Sequence, residues 1–207
     1  MISYEGSRAE LGCRGDSTIE KLSSLKPAFI KPNGTVTAAN ASFLTDGASA
    51  ALIMSEEKAL ALGYKPKAYL REWTFVSCDP FDEMLLGPAY ATSKVLDTAG
   101  LQLKDMGVVE FHEAFAGQVL ANVNALNSQK FFDEKLGGKT KVGEVPMEKF
   151  NIHGGSLSIG HPFGATGARL VTTVANRLIR EDQQYGITAA CADGGIGHAA
   201  IIERYPQ

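Results

Sequence analysis

A chain of 207 residues with 20 Lys+Arg against 23 Asp+Glu has a formal net charge of −3, and 44% of its residues are hydrophobic. That length accommodates one large domain, or one domain and part of another, and the apolar content supplies a packed core, which excludes a disordered chain. The mildly acidic balance without a basic run excludes nucleic acid as an obligate ligand, and no window approaches the roughly 20 apolar residues that cross a bilayer.

Three cysteines, Cys13, Cys78 and Cys191, with no CxxC spacing fit a reducing compartment and exclude both a disulfide scaffold and an all-cysteine zinc site. Four histidines without HExxH or related spacing make a metal site unexpected. The first fifteen residues have neither the apolar core of a secretory signal nor the acid-poor, Arg-rich character of a transit segment, so targeting information is expected to be absent from this chain.

In chain order, residues 1–16 read as irregular. Ser17 and Glu20 have capping-box spacing for a short helix to Leu25, which Lys26-Pro27 stops. Residues 28–46 are loop-like. The apolar run 48–54 (ASAALIM) predicts a buried strand, and Ser55 caps a helix to Leu62 with Gly63 ending it. Residues 67–77 alternate as a strand, Pro88 suits the first turn of a helix to Ala99 closed by Gly100, and 108–111 predict a short strand. A helix is expected over 114–126, irregular charged chain over 131–149, and another helix over 164–180 begun by Pro162. Two strands, 186–192 and 199–205, flank a glycine turn as an antiparallel hairpin. The order from residue 65 onward is that of an α/β layered domain. The 48–63 unit has no partner strands before it. Something upstream is expected to complete it, and the chain alone is expected to fold poorly, with an apolar edge exposed.

Three clusters combine reactive side chains with permissive backbone. His112-Glu113 stands where a strand meets a helix start; His161 sits among Gly160, Pro162, Gly164 and Gly167; Cys191 precedes Gly194, Gly195 and Gly197. Each alone also admits a bland reading: a structural His-Glu pair, a solvated His at a helix start, an inert packed thiol. Together they fit acyl transfer at a thioester or ketone, which needs a thiol or imidazole to carry protons and N–H groups for the oxyanion.

The motifs His112-Glu113-Ala114-Phe115, Gly160-His161-Pro162 and Cys191 with Gly194, Gly195 and Gly197 occur in the order and spacing of thiolases. Leu25-Lys26-Pro27-Ala28-Phe29, the stretch 34–42 and Asp46-Gly47-Ala48 also resemble that family, from about residue 14 to the C-terminus. His112, where many thiolases have Asn, and Ala39, where many have Gly, are similar to thiolases of the mitochondrial trifunctional-protein β-subunit type. The resemblance implies a thiolase-like α/β/α layered fold with a mixed sheet. Residues 1–44 would be the tail of the loop region, 45–64 the last strand–helix unit of the N-terminal domain, and 65–207 the C-terminal domain.

It further implies thiolysis of a 3-oxoacyl-CoA by CoA in fatty acid β-oxidation, with CoA a substrate and no cofactor. His161 would activate an acylated cysteine and help hold the thioester oxygen. Cys191 would be the general acid/base, and His112 would orient a water or the thioester oxygen. Ser42, Ala38, Phe115 and Met84 would contact the pantetheine arm, while Asp193 and Gly194 would present oxyanion-site amides. Asp193 stands where the family carries a small residue, and its carboxylate would repel developing charge. The family nucleophile, a cysteine of the N-terminal half, has no matching position here, so the chain by itself is expected to be inactive. Implied partners are acyl-CoA substrates, a second thiolase chain and the trifunctional protein α subunit, with peripheral membrane association through that complex and a mitochondrial location (matrix or inner membrane). The alternative is a non-catalytic fragment that binds CoA or a partner chain. A ketoacyl synthase fits less well, because that type places a second His where this chain has Cys191.

Overall fold

The computed structural model describes residues 14–206. Cys13 and most of the irregular stretch expected over 1–16 lie outside the described residues. Helix α1 (Ile19–Ser23) is a single exposed turn, shorter than expected. Its cap is Thr18, whose hydroxyl accepts from the Lys21 amide, while Ser17 donates to the Arg14 carbonyl instead.

The strand expected at 48–54 does not form. The segment is irregular and largely exposed, with Leu52 at 72% and Ile53 at 68% exposure. An apolar run becomes a strand only where a neighbouring ladder and a covering layer receive it, and among the described residues neither stands beside this one. The helix after it forms as expected: α2 (Glu56–Ala61) is capped by Ser55 and closed by Gly63 at φ 74°.

From residue 68 the chain builds a four-stranded sheet. Strand β1 (Ala68–Ser77) leads into α3 (Gly87–Ala99), which has Pro88 in its first turn and Gly100 in the left-handed conformation after its end. Strand β2 (Met106–Phe111) is buried along its whole length. Helix α4 (Ala116–Leu126) begins two residues later than expected, because Phe115 is extended and forms a bridge with Ala41. Helix α5 (Gln129–Lys135) occupies part of the segment expected to be irregular; Ser128 caps it and Phe132 buries completely, outweighing the charge around it. The one-turn α6 (Ser156–Ile159) precedes α7 (Phe163–Arg180), for which Pro162 is the N-cap. Strands β3 (Tyr185–Ala192) and β4 (Ile196–Arg204) form the expected hairpin. Among the described residues no helix is long and apolar enough to cross a membrane.

The sheet order is β1-β4-β3-β2, with β2 parallel to β3 and the other pairs antiparallel. The parallel pair requires a long crossover, which α4 to α7 supply. Helices α3 and α4 cover one face, packing Val95, Leu96 and Leu126 against Val109, Ile187 and Ile201. Helix α7 covers the other, where Val174 and Leu178 meet Val108, Ala200 and Ile202. The start of α3 approaches the hairpin backbone to backbone: a Cβ on Gly87 would stand 2.5 Å from Gly197 Cα. Only glycines permit that approach, which settles α3 onto the strand opposite Cys191.

One ion pair lies inside the α7 layer. Arg177, 1% exposed, donates to Glu110 Oε1 at 2.7 Å and also to both oxygens of Glu181. Removing one partner of a buried pair leaves the other charge unpaired. Arg177→Met is therefore expected to destabilise the fold by about 3–5 kcal/mol in urea denaturation, with part of the loss recovered when Glu110→Gln is added.

Candidate active site

His112 is the first residue beyond β2. Its amide donates to the Ala189 carbonyl (2.7 Å), extending the β2–β3 pairing by one step. The end of β2 is clamped by Asn151, held at φ 45°, whose side chain bonds both the amide and the carbonyl of Phe111 at 2.9 Å. Glu113 then turns away from the sheet, accepting from Asn151 Nδ2 (2.6 Å) and from the Leu157 amide at the start of α6 (3.1 Å). Gly155 permits this, since a Cβ there would meet the Glu113 carboxylate at 2.4 Å. The His112 ring, 3% exposed, has its Nδ1 3.0 Å from the Ser156 hydroxyl.

His161 arrives from within the crossover, between α6 and α7. Gly160 holds φ 85°, against Thr45 and Phe43, and the His161 amide donates to the Phe43 carbonyl (3.2 Å). Its Nδ1 lies 2.6 Å from Thr166 Oγ1, and that hydroxyl is 3.3 Å from the Pro162 carbonyl. A hydroxyl has one proton. Assigned from this network, Thr166 donates to Pro162 and accepts from Nδ1–H, which leaves Nε2 as the basic nitrogen of His161. The two imidazoles meet face on, with centroids 4.0 Å apart and planes tilted by 38°.

Electrostatics makes both rings neutral near pH 7. Burial pushes His112 down to about 4, helped by the adjacent His161 and by Arg169. His161 is also lowered, first by burial and then by Arg169. The Cys191 thiol is pushed up to about 11 by burial, with Cys78 as its electrostatic neighbour. Cys191 continues the row of Ile187 and Ala189 on the α3 side, whereas Glu110 and His112 continue the α7 side. The structure thus brings the two histidines into contact and places Cys191 on the neighbouring strand. Among the described residues no hydrogen bond joins its thiol to either ring. Cys78 lies against the hairpin, its Sγ 3.2 Å from the Gly195 carbonyl.

The remaining candidates divide. Ser42 is held beside the site by its backbone N–H, which donates to the Ala114 carbonyl (2.9 Å), and half-buried Phe115 pairs with Ala41 on the same strap. Ala38 is exposed at the turn before that strap, shaped by Asn40 accepting from the Thr37 amide at 2.7 Å. Met84, 42% exposed, sits in the loop between β1 and α3. Asp193 is exposed, and its Oδ1 accepts from the Gly194 amide at 2.9 Å, so that donor is already engaged. A cavity of about 460 Å³, lined by Leu44, Thr45, Asp46, His161, Pro162 and Phe163, opens at the His161 ring. The motif reading omitted Ser156, Thr166, Asn151 and Arg169. The signal for Thr166 was its place one turn into the helix after His161; nothing local marks Ser156 or Asn151, which lie 44 and 40 residues from their partners.

The family model for the thiolase C-terminal domain matches residues 64–204, and that for the N-terminal domain matches residues 6–57. The chain belongs to the thiolase family. It is 65% identical over 191 residues to the mitochondrial trifunctional enzyme subunit beta of Homo sapiens, covering 92% of this chain and 40% of that protein. A probable 3-ketoacyl-CoA thiolase of Caenorhabditis elegans is 66% identical over 189 residues, 91% of this chain and 42% of that one. The crystal structure of human mitochondrial 3-ketoacyl-CoA thiolase in complex with CoA superposes with a TM-score of 0.80 at 35% identity, over 95% of this chain and 45% of that chain. The chain therefore spans about 40% of the length of these curated thiolase relatives. The layered α/β architecture expected for a thiolase is the one observed.

Two outcomes follow from the site's charge states. Cys191 has a thiolate fraction of about one in ten thousand at pH 7, so its alkylation by iodoacetamide, mapped by mass spectrometry, is expected to rise about tenfold per pH unit up to about pH 11. His112 is neutral in the fold down to about pH 4, whereas an unfolded imidazole takes up its proton near 6.5. The unfolded state binds the extra proton in that window, so the stability contributed by neutral His112 is lost as pH falls from about 6.5 to 4. Denaturation at pH 7.5 and 4.5 is expected to show a loss of about 3 kcal/mol from this residue, absent in His112→Asn.

Proposed function

We propose that this chain supplies the acid–base machinery of a 3-ketoacyl-CoA thiolase, which cleaves a 3-oxoacyl-CoA with CoA to acetyl-CoA and a shortened acyl-CoA in fatty acid β-oxidation. The observation that carries this reading is the His112–His161 ring pair, joined through the His112 amide to the strand that carries Cys191. Cleavage between Cα and Cβ needs an acyl-accepting thiol and a separate proton carrier. A thiol with a pKa of about 11 suits the second role: it is protonated at neutral pH, and its thiolate is basic enough to deprotonate CoA. Cys191 accordingly protonates the departing acetyl-CoA carbanion and then takes the proton of the incoming CoA thiol.

His161, with Nε2 unprotonated, takes the proton of the cysteine thiol that becomes acylated and helps hold the thioester oxygen. His112 orients a water or that oxygen without bringing a net charge. The acyl-accepting cysteine comes, in this proposal, from the part of a thiolase chain that these 207 residues do not cover. Ser42, Ala38, Phe115 and Met84 line the path of the pantetheine arm. Residues 1–44 are assigned to the loop region, 45–64 to the end of the N-terminal domain and 65–207 to the C-terminal domain. The proposed setting is mitochondrial, in the matrix or at the inner membrane. A second thiolase chain and the α subunit of a trifunctional complex are the partners, and that complex provides peripheral membrane contact.

A second reading, a fragment that binds CoA or a partner thiolase without turnover, draws support from Asp193. Its carboxylate occupies the Gly194 amide that an oxyanion would need. A thiolysis assay on this chain joined to the cysteine-bearing remainder of a thiolase chain, with and without Cys191→Ala, separates the two. Thiolase action predicts turnover that Cys191→Ala reduces by at least about a hundredfold, as expected for loss of a general acid/base. Absence of turnover with measurable CoA binding selects the second reading. Under the first, Asp193→Ala frees the Gly194 amide and is expected to raise kcat by about tenfold, less than a full oxyanion donor because the carboxylate is exposed to water.

A further inference from the structure

Ser156 reaches the site from 44 residues beyond His112 and is completely buried. Among the described residues its hydroxyl meets a single partner, Nδ1 of His112 at 3.0 Å. The short helix α6 fixes it there from both sides. No Cβ would fit on Gly155 beside the Glu113 carboxylate, and the Leu157 amide donates to that same carboxylate at 3.1 Å. The Ser156 carbonyl accepts from the Gly160 amide at 3.0 Å, and Gly160 immediately precedes His161. One residue thus fastens its side chain to one imidazole and its backbone beside the other.

A buried hydroxyl with one neighbour either donates its proton to that neighbour or leaves it without an acceptor, the costlier arrangement. Nδ1 of His112 is the acceptor within reach, so that nitrogen is bare and the proton of the neutral ring stands on Nε2. At His161 the order is reversed. Thr166 has the Pro162 carbonyl to take its proton, so Nδ1 of His161 keeps its hydrogen and Nε2 is bare. The two rings, with centroids 4.0 Å apart, are therefore opposite tautomers, because one hydroxyl has a second acceptor and the other has none. Among the described residues no hydrogen bond joins the rings to each other, so the donor and the base do not cancel.

We propose that Ser156 is a positioning residue that locks His112 as its Nε2–H tautomer, which makes this imidazole a neutral hydrogen-bond donor to an oxygen that gains negative charge. A donor oriented before substrate arrives needs no reorganisation when that charge develops. The use of the donor on a thioester oxygen rests on the acyl-transfer reading; the tautomer does not.

Imidazole nitrogen NMR at about pH 7.5, on this chain joined to the cysteine-bearing remainder of a thiolase chain, reads the tautomers without an assay of turnover. His112 is expected to carry its proton on Nε2 and His161 on Nδ1. Ser156→Ala removes the hydroxyl and is expected to shift the His112 Nδ1 resonance and to mix the two tautomers of that ring, with His161 unchanged. In thiolysis the same variant should lower kcat by about tenfold and leave KM within about twofold, a split that simple loosening of the fold would not produce. A wild-type His112 protonated on Nδ1 overturns the proposal without any variant. A His112 spectrum unmoved by Ser156→Ala, or a moved spectrum with an unchanged kcat, would overturn it as well. The expected tautomers in a protein without thiolysis would remove the acyl-transfer reading and leave the lock on His112 standing.

Discussion

Two unit charges 4 Å apart repel by about 4 kcal/mol even at an effective dielectric constant of 20, and the rings of His112 and His161 are separated by that distance. At most one can bear a proton at modest cost, and burial makes even one expensive. Most of the local architecture serves this constraint. Ser156 and Thr166 each meet one Nδ1, and Asn151 and Glu113 tie the end of β2 to the start of α6 so that the rings stay in register. A neutral imidazole that is already hydrogen-bonded on one nitrogen presents the other with a defined chemical sense, which a proton-transfer site requires.

The sheet separates the chemistry by face. On the α7 side lie the imidazoles and the Glu110–Arg177 pair; on the α3 side the thiol of Cys191 sits above a glycine contact that brings α3 against the hairpin. Thiol and imidazole are both held neutral at pH 7, the one protonated and the other free of its second proton, chiefly by desolvation. Burial drives the imidazoles down and the thiol up, so the same physical cause yields a base and an acid.

Much of this was legible in the residues. The β3–β4 hairpin, the Pro-initiated α7, the Ser55 cap and the Gly63 and Gly100 stops rest on local dihedral and hydrogen-bond preferences that a short stretch of sequence contains in full. The failures share one cause. Residues 48–54 have strand composition without a ladder to join, and α5 is polar or charged apart from Phe131 and Phe132, whose packing on the core holds it in place. Whether an apolar side chain finds a layer to enter is a property of the rest of the fold, not of the segment.

The sequence by itself determined the family, the identity of the three reactive side chains and the glycines that make room beside them, because these depend on residue type and spacing along the chain. Only the tertiary structure decided which of those groups touch. His112 opens the long crossover and His161 stands within it, just before α7, and their hydrogen-bond partners and their pairing arise when α7 packs onto β2. The engagement of the Gly194 amide by Asp193 was likewise invisible beforehand, since a carboxylate one residue away reaches that donor only in the particular turn the hairpin adopts. Protonation states follow from burial, and burial exists only once the layers have closed.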